Sequence, residues 1–382
     1  MGHKNAEKRQ VMVINNIILK NFRNYDNLQL ELSPNINIIY GSNGSGKTNI
    51  LESIYVLAFT KSHRSFIDNS LIKTGKESST IKGTLNKNIS YNLEINLGKT
   101  TKKVKIDNNS VTKLGSYIEK MNIIIFYSED LNLIKGYPSH RRKYLNLELS
   151  QISQTYYNTL NDYNKLLKIR NDYLKKISDI RSLNQDYLNI LTDYIVEKSV
   201  FIYQMRDKYI KKLNDICPKI FKDITNKKGF YIKYNPSVEF INMEKDTIRK
   251  TLKYRLLNDL EREIRLKTTL YGPHKDDFEF YLKDENLRFY GSQGQQRVAV
   301  LALKLSEIQI IKDYKQDSPI ILLDDVFSEL DNEKKNNLLS YINTGMQVII
   351  TTTDLKNIDK KIIKNAKLIN IEQGTIQEEV KK

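Results

Sequence analysis

Residues 41 to 48 run Gly41, Ser42, Asn43, Gly44, Ser45, Gly46, Lys47, Thr48, a complete G-x-x-x-x-G-K-T loop. An apolar β-prone entry, Ile36, Ile38, Ile39 and Tyr40, precedes it, and Ile50, Leu51, Ile54, Leu57 and Ala58 follow at helical spacing. A strand, a glycine-rich turn and a helix in that order make a phosphate cradle. Backbone N–H groups turn inward at the helix N-terminus, Lys47 reaches the β- and γ-phosphates, and the Thr48 hydroxyl suits Mg²⁺. A nucleoside triphosphate is the expected ligand.

The other half of such a site is 277 positions beyond Lys47 (324 − 47). Pro319, Ile320, Ile321, Leu322 and Leu323 form a short apolar strand ending in Asp324 and Asp325, as a Walker B segment requires. Asp324 is expected in the Mg²⁺ shell and Asp325 at the attacking water. Ser292, Gln293, Gly294, Gln295, Gln296 and Arg297 come before this strand, and Ser328, Glu329, Leu330 and Asp331 after it, the order of an ABC-type ATPase. The separation exceeds one compact phosphate-loop domain, so a second lobe is expected between the halves. Ser292 and Gln295, as S-x-x-Q, also spell a plain capping box, while Ser292, Gly294 and Gln295 together make the wider motif. Beside Walker B they read as a signature that offers a hydroxyl, N–H groups and a positive helix end to a γ-phosphate. One residue can do both.

The expected fold is α/β, an ABC-type phosphate-loop ATPase head with a flanking antiparallel β-meander and an inserted helical lobe. The head takes residues 11–137 and 268–382, and the mainly helical insert 138–267. Met1 to Gln10 is polar and basic and reads as a loose, disordered tail, with Met12 an alternative start. Residues 81 to 127 look like the meander, since Leu93, Ile95 and Leu97 alternate with polar residues and Asp107 to Ser110 supplies a turn. From Arg141 the period changes: Leu145, Leu149, Ile152, Tyr156, Leu160, Tyr163 and Leu167 form one helical stripe. After a break at Ser182 and Asn184, a second helical run is expected to stop before Pro218. The tail reads as a buried strand from Gln347 to Thr351, then a hairpin around Gln373 and Gly374.

The net charge is +17, which favours a polyanionic partner through counterion release, although a chain rich in Lys, Asn, Ile and Tyr also reflects biased base composition. A lone cysteine, Cys217, excludes a disulfide framework, and four scattered histidines leave no zinc set. No apolar stretch approaches the ~20 residues of a membrane helix. A reducing, cytoplasmic setting is expected.

Taken in order, these residues resemble the RecF family of bacterial repair ATPases, relatives of SMC and Rad50 heads. Asn21 to Tyr25, Gly41 to Glu52, Ser62 to Arg64, Ser128 to Leu131, Gly136 with Pro138, Arg141 with Arg142, Gly272 to His274 with Asp276 and Asp277, Ser292 to Arg297, Asp324 with Asp325, and Thr351 to Asp354 fall in family order. Two positions depart from the pattern: Lys275 where Arg is expected, and Asn146 where Asp is. The resemblance implies ATP-dependent binding of single- and double-stranded DNA at gaps or junctions. It also implies RecR and RecO as partners in loading RecA, and a homodimer that sandwiches two ATP molecules. Asp325 stands where many ABC proteins carry Glu, and Thr353 where they carry His, which implies slow hydrolysis. Arg64, Arg141 and Arg142 read equally as a solvated face or as contacts to an anion. An SMC- or Rad50-like structural head is the nearest alternative, but it needs far longer coiled coils. Transporter subunits lack the long helical insert, and a nuclease needs a further carboxylate domain.

Overall fold

A computed structural model describes residues 11–65, 67–177, 184–329, 332–342 and 345–381, which form two compact units, 11–130 with 307–381 and 131–306. The tail at 1–10, Ser182 in the helical break, and Leu330 and Asp331 of the S-x-L-D sequence lie outside the described residues.

Unit one holds two six-stranded sheets. The mixed sheet runs Thr375–Lys381, Ala366–Glu372, Ile36–Tyr40, Val348–Thr352, Ile320–Asp324, Ile123–Phe126, parallel except for the antiparallel pairing of the first two. Its inner strands are mostly apolar and buried at most positions, and Ile320 to Leu323 is a continuous apolar run, as strands buried on both faces favour. That rule relocates one segment. Ile123 to Phe126, expected in the meander, is apolar at every position and pairs parallel with the Walker B strand. Had it belonged to a half-solvated antiparallel sheet, its side chains would alternate. The antiparallel sheet runs Tyr25–Glu31, Val13–Phe22, Ser78–Asn86, Ser90–Gly98, Lys102–Ile106, Asn109–Ser110, burying one face of its longer strands. Between the sheets lies the helix Lys47–Phe59, buried from Ile50 through Phe59, so it packs on strands of both. Gln347, fully buried, ties the sheets together: it accepts from Ile14 N at 2.8 Å and donates to Ile14 O at 2.8 Å and Ser33 O at 2.9 Å.

Unit two is wider than the insert drawn at 138–267, because the strand Asp277–Leu282 pairs with Phe230–Asn235 among the helices. The single stripe expected from Arg141 is two helices, Pro138–Ile152 and Gln154–Lys176. Ser153 breaks them: its backbone is extended and its hydroxyl accepts from Tyr156 N at 3.1 Å, an N-cap that starts a new helix. The next helix, Gln185–Thr225, does not stop before Pro218 but runs through it for 41 residues, about 60 Å. Cys217, Ile220, Phe221 and Ile224 continue its buried face, and Phe221 stacks on Phe230 at 4.5 Å between ring centroids. Packing outweighs the hydrogen bond that the proline lacks.

The motif Gly272, Pro273, His274 with Asp276 and Asp277 is the polar centre of unit two. Buried Arg206 donates to Asp276 Oδ2 at 2.6 Å, Pro273 O at 2.6 Å and Asn146 Oδ1 at 2.8 Å, and Tyr156 Oη also donates to Asn146 Oδ1 at 3.1 Å. Asn146, the departure from Asp, thus serves through its carbonyl. Arg141, only 2% exposed, forms a bidentate pair with Asp277 at 2.6 and 2.8 Å, and Arg142 donates to Asp276 O at 2.9 Å. Arg141 is therefore committed to holding this unit together rather than to a ligand.

Candidate nucleotide-binding site

In unit one, Tyr40, Asp324 and Thr352 end three adjacent parallel strands at one edge of the mixed sheet, with Asp324 paired to Thr351 and Thr352 to Tyr40. Loop 41–46, Asp325 and Thr353 follow directly, so the topology alone brings together segments from opposite ends of the chain. Asn43, Gly44, Gly46, Lys47, Thr48, Asn49, Arg64, Asp325, Thr351 and Thr353 line a cavity of about 290 Å³ there.

The loop has the backbone of a phosphate cradle. Gly46 has φ +113°, and a Cβ there would lie 2.5 Å from Tyr25 Oη and 2.7 Å from Asn24 Nδ2; Gly44 has φ +79° with open space around it. Lys47 Nζ donates to Gly41 O at 2.8 Å and Ser42 O at 2.7 Å. Burial pulls this ammonium below the usual lysine range, while Asp325 and Asp324 act to hold it charged. Ser45 Oγ is buried and has no hydrogen-bond partner among the described residues. An orphaned hydroxyl, a folded-back lysine and an open glycine suit a bound polyphosphate.

Asp324 Oδ1 accepts from Thr48 Oγ1 at 2.9 Å and Thr351 Oγ1 at 2.7 Å. That hydroxyl and carboxylate fit Mg²⁺, which prefers one or two protein ligands completed by phosphate and water. No cluster of three His, Cys, Asp or Glu among the described residues offers an all-protein metal cage instead. Asp325 has φ +53°, a left-handed turn that follows the strand, and its N–H donates to Thr351 Oγ1 at 3.1 Å.

The motifs did not announce everything. Glu52, fully buried and the lone carboxylate of its helix, accepts from Arg23 at 2.6 and 2.8 Å and from Ser62 Oγ at 2.6 Å, and Arg64 lies 3.7 Å from it. Ser62 Oγ in turn accepts from Arg64 N and Ser65 N, which fixes the loop that carries Arg64 to the cavity. A lone carboxylate amid Leu51, Ile54, Tyr55 and Val56 was the signal for this hub. Asn49 links Asn24 and Arg64 in the same way, at 2.8 and 3.1 Å. Ser292, Gly294 and Gln295 lie in unit two, exposed or half-exposed at the start of the helix Gln293–Lys315. The capping box is formed: Gln295 N donates to Ser292 Oγ at 3.2 Å and Ser292 N to Gln295 Oε1 at 2.8 Å.

Comparison with known proteins places the chain in a family. The family model for the RecF/RecN/SMC N-terminal domain matches residues 13–377. A protein of Lactobacillus johnsonii named DNA replication and repair protein RecF is 39% identical over 371 residues, 96% of this chain and 99% of that one. One of the same name from Bacillus cereus is 40% identical over 372 residues, 97% and 99% of the two chains. A solved structure of the recombination mediator protein RecF-ATP in the RecFOR pathway superposes with a TM-score of 0.91 at 32% identity, covering 100% of both chains. With this coverage end to end, and with both nucleotide motifs meeting at one cavity, the chain belongs to the RecF family of ABC-type ATPases.

Proposed function

We propose that this protein is an ATP-dependent DNA-binding protein of recombinational repair and replication restart. Two copies close over two ATP molecules on gapped or junction DNA, and slow, DNA-stimulated hydrolysis to ADP and phosphate releases them. The observation that carries this reading is the convergence of Lys47, Thr48, Asp325 and Thr353 on one cavity, with Asp324 bonded to Thr48 at its edge.

Each residue has a separable task. The N–H groups of Gly44, Ser45, Gly46 and Lys47 bind phosphate oxygens, assisted by Ser42 and Asn43, while Gly41 turns the chain out of its strand. Lys47 leaves Gly41 O and Ser42 O to neutralise the β- and γ-phosphates. Thr48 and Asp324 would hold Mg²⁺, which when bound supplies further neutralisation of phosphate charge. Asp325 orients and polarises the attacking water, and Thr353 donates a neutral hydroxyl beside it. A short carboxylate and an uncharged hydroxyl there support slow turnover, suited to a clamp or timer. Ser292, Gly294 and Gln295 bind the γ-phosphate held by the other copy, so that ATP joins the two chains and hydrolysis parts them. The names of the relatives, a DNA replication and repair protein and a recombination mediator of the RecFOR pathway, support recombinational repair; on this reading RecR and RecO are partners in loading RecA, in the cytoplasm. Among the described residues, no helix is long and apolar enough to cross a membrane.

Sedimentation velocity with and without ATP, Mg²⁺ and a gapped duplex tests this. A monomer should become a dimer with ATP and Mg²⁺ and remain on the gapped DNA until ATP is consumed. Sedimentation indifferent to ATP would overturn the reading.

A further inference from the structure

The antiparallel sheet of unit one buries Ile17, Leu19, Ile81, Ile95 and Leu97 on one side and leaves the other open. Strand register gives the open side an ordered set of side chains. One row, Asn27, Lys20, Thr80, Asn96 and Lys103, crosses five strands without an acidic residue. The next row is Gln29, Ile18, Lys82, Glu94 and Lys105. Together the rows carry four lysines against one carboxylate, Glu94, which Lys82 at 3.0 Å and Lys105 at 3.4 Å share. The third row adds Glu31 at its end, on the edge strand, beside Asn16, Thr84 and Asn92.

Two features distinguish this from an ordinary solvated face. A groove of about 510 Å³ lies along the first two rows, lined by Lys20, Asn27, Gln29, Lys82, Asn96 and the paired Glu94 among others, and Lys103 follows Asn96 in the first row on the next strand beyond it. Lys20, Asn27, Gln29 and Lys103 are exposed, and no side-chain hydrogen bond or ion pair engages them among the described residues. Elsewhere on the face donors are already taken, as Thr80 donates to Asn96 at 2.8 Å and Thr84 to Asn92 at 3.2 Å. The uncommitted groups are thus ammonium and amide donors, the set that proteins use on phosphate oxygens without reading sequence, in a groove whose apolar lining comes from Ile18, Leu19 and Leu28. Lys20 and Lys103 are three strand spacings apart, about 14 Å. That spans about four nucleotide steps of one strand, at ~3.4 Å of helix axis per charge.

We propose that this open face of the antiparallel sheet is a seat for the phosphodiester backbone of DNA, with Lys20 and Lys103 as its two free charge contacts and Asn27 and Gln29 as neutral donors. The proposal rests on the DNA-binding reading above and gives it a location. Ile18, 38% exposed in the middle of the second row, packs against sugar carbons.

The test uses the full-length protein and fluorescence anisotropy of a labelled gapped duplex over a range of salt concentrations, with ATP and Mg²⁺ present. Lys20→Gln with Lys103→Gln should weaken binding and lower the steepness of log Kd against log salt by about 1.8, or ~0.9 per lost contact. ATP affinity should be unchanged. Lys360→Gln with Lys361→Gln, which removes the same charge from an exposed helix beside the other sheet, should leave the slope alone. A wild-type protein that binds DNA, paired with an unaltered slope in the Lys20/Lys103 variant or an equal change in both pairs, overturns the location alone. A wild-type protein that binds no DNA overturns the functional reading and the location with it. Unaltered DNA binding with loss of an acidic protein partner would assign the face to that partner and also overturn the proposal.

Discussion

His274 shows how one residue of a family motif works through the protonation state that its surroundings impose. Its Nε2–H donates to Thr269 O at 3.0 Å, which leaves Nδ1 to accept from Tyr163 Oη at 2.5 Å, so the neutral ring satisfies both partners. Burial pushes its pKa down to about 4, and the positive charges of Lys275, Arg142 and Arg206 act in the same direction. The unfolded chain, with an ordinary histidine, takes up this proton near pH 6.5, whereas the folded one resists it until about pH 4. Stability from this residue is therefore complete above pH 6.5 and is lost as the pH falls toward 4, by roughly 3 kcal/mol in all. In urea unfolding from pH 7.5 to 4.5, the stability of wild type over His274→Asn should shrink steadily below pH 6.5. A difference that stays flat would mean that the ring is not held neutral.

At the scale of elements, the phosphate loop is the best test of how far backbone geometry reaches into the site. Gly44 and Gly46 both have positive φ, but only Gly46 is enclosed, by Tyr25 and Asn24 of the turn after the first strand. Gly44→Ala meets only backbone strain, on the order of 1 kcal/mol, whereas Gly46→Ala adds a collision with a buried tyrosine and should cost about 2–3 kcal/mol. ATP affinity should fall much further in Gly46→Ala, since the displaced loop no longer aims its N–H groups. Equal losses in melting temperature and ATP affinity for the two variants would contradict this. The same elements show what the sequence made legible. The loop, its helix and the Walker B strand were readable because their residue types have few other uses. The break at Ser153, the passage through Pro218 and the move of Ile123 to Phe126 into the parallel sheet were not. The last two were decided by tertiary packing that local pattern does not encode, a stacked phenylalanine and a second buried face, whereas the break at Ser153 is a local N-cap hidden by the apolar stripe that runs on through it. The Glu52 hub was half legible, as a lone carboxylate amid Leu51, Ile54, Tyr55 and Val56, but its partners Arg23 and Ser62 come from separate turns.

For the whole molecule, the central claim is that ATP is shared between chains, with Lys47 of one and Ser292 of the other on a single γ-phosphate. The capping box of Ser292 and Gln295 is present whether or not this claim holds, so stability alone does not decide it. Losing the cap costs roughly 0.5–2 kcal/mol and would leave dimerisation of the folded protein intact. Mixing two inactive variants is the direct measurement. Ser292→Arg blocks the phosphate contact in trans, and Lys47→Met removes the cation in cis. A heterodimer of the two retains one complete site, from Lys47 of the first chain and Ser292 of the second. The account predicts that neither variant hydrolyses ATP alone and that an equimolar mixture recovers part of the wild-type rate. A mixture that stays inactive despite demonstrated heterodimers, or a Ser292→Arg protein that dimerises normally with ATP, would contradict it.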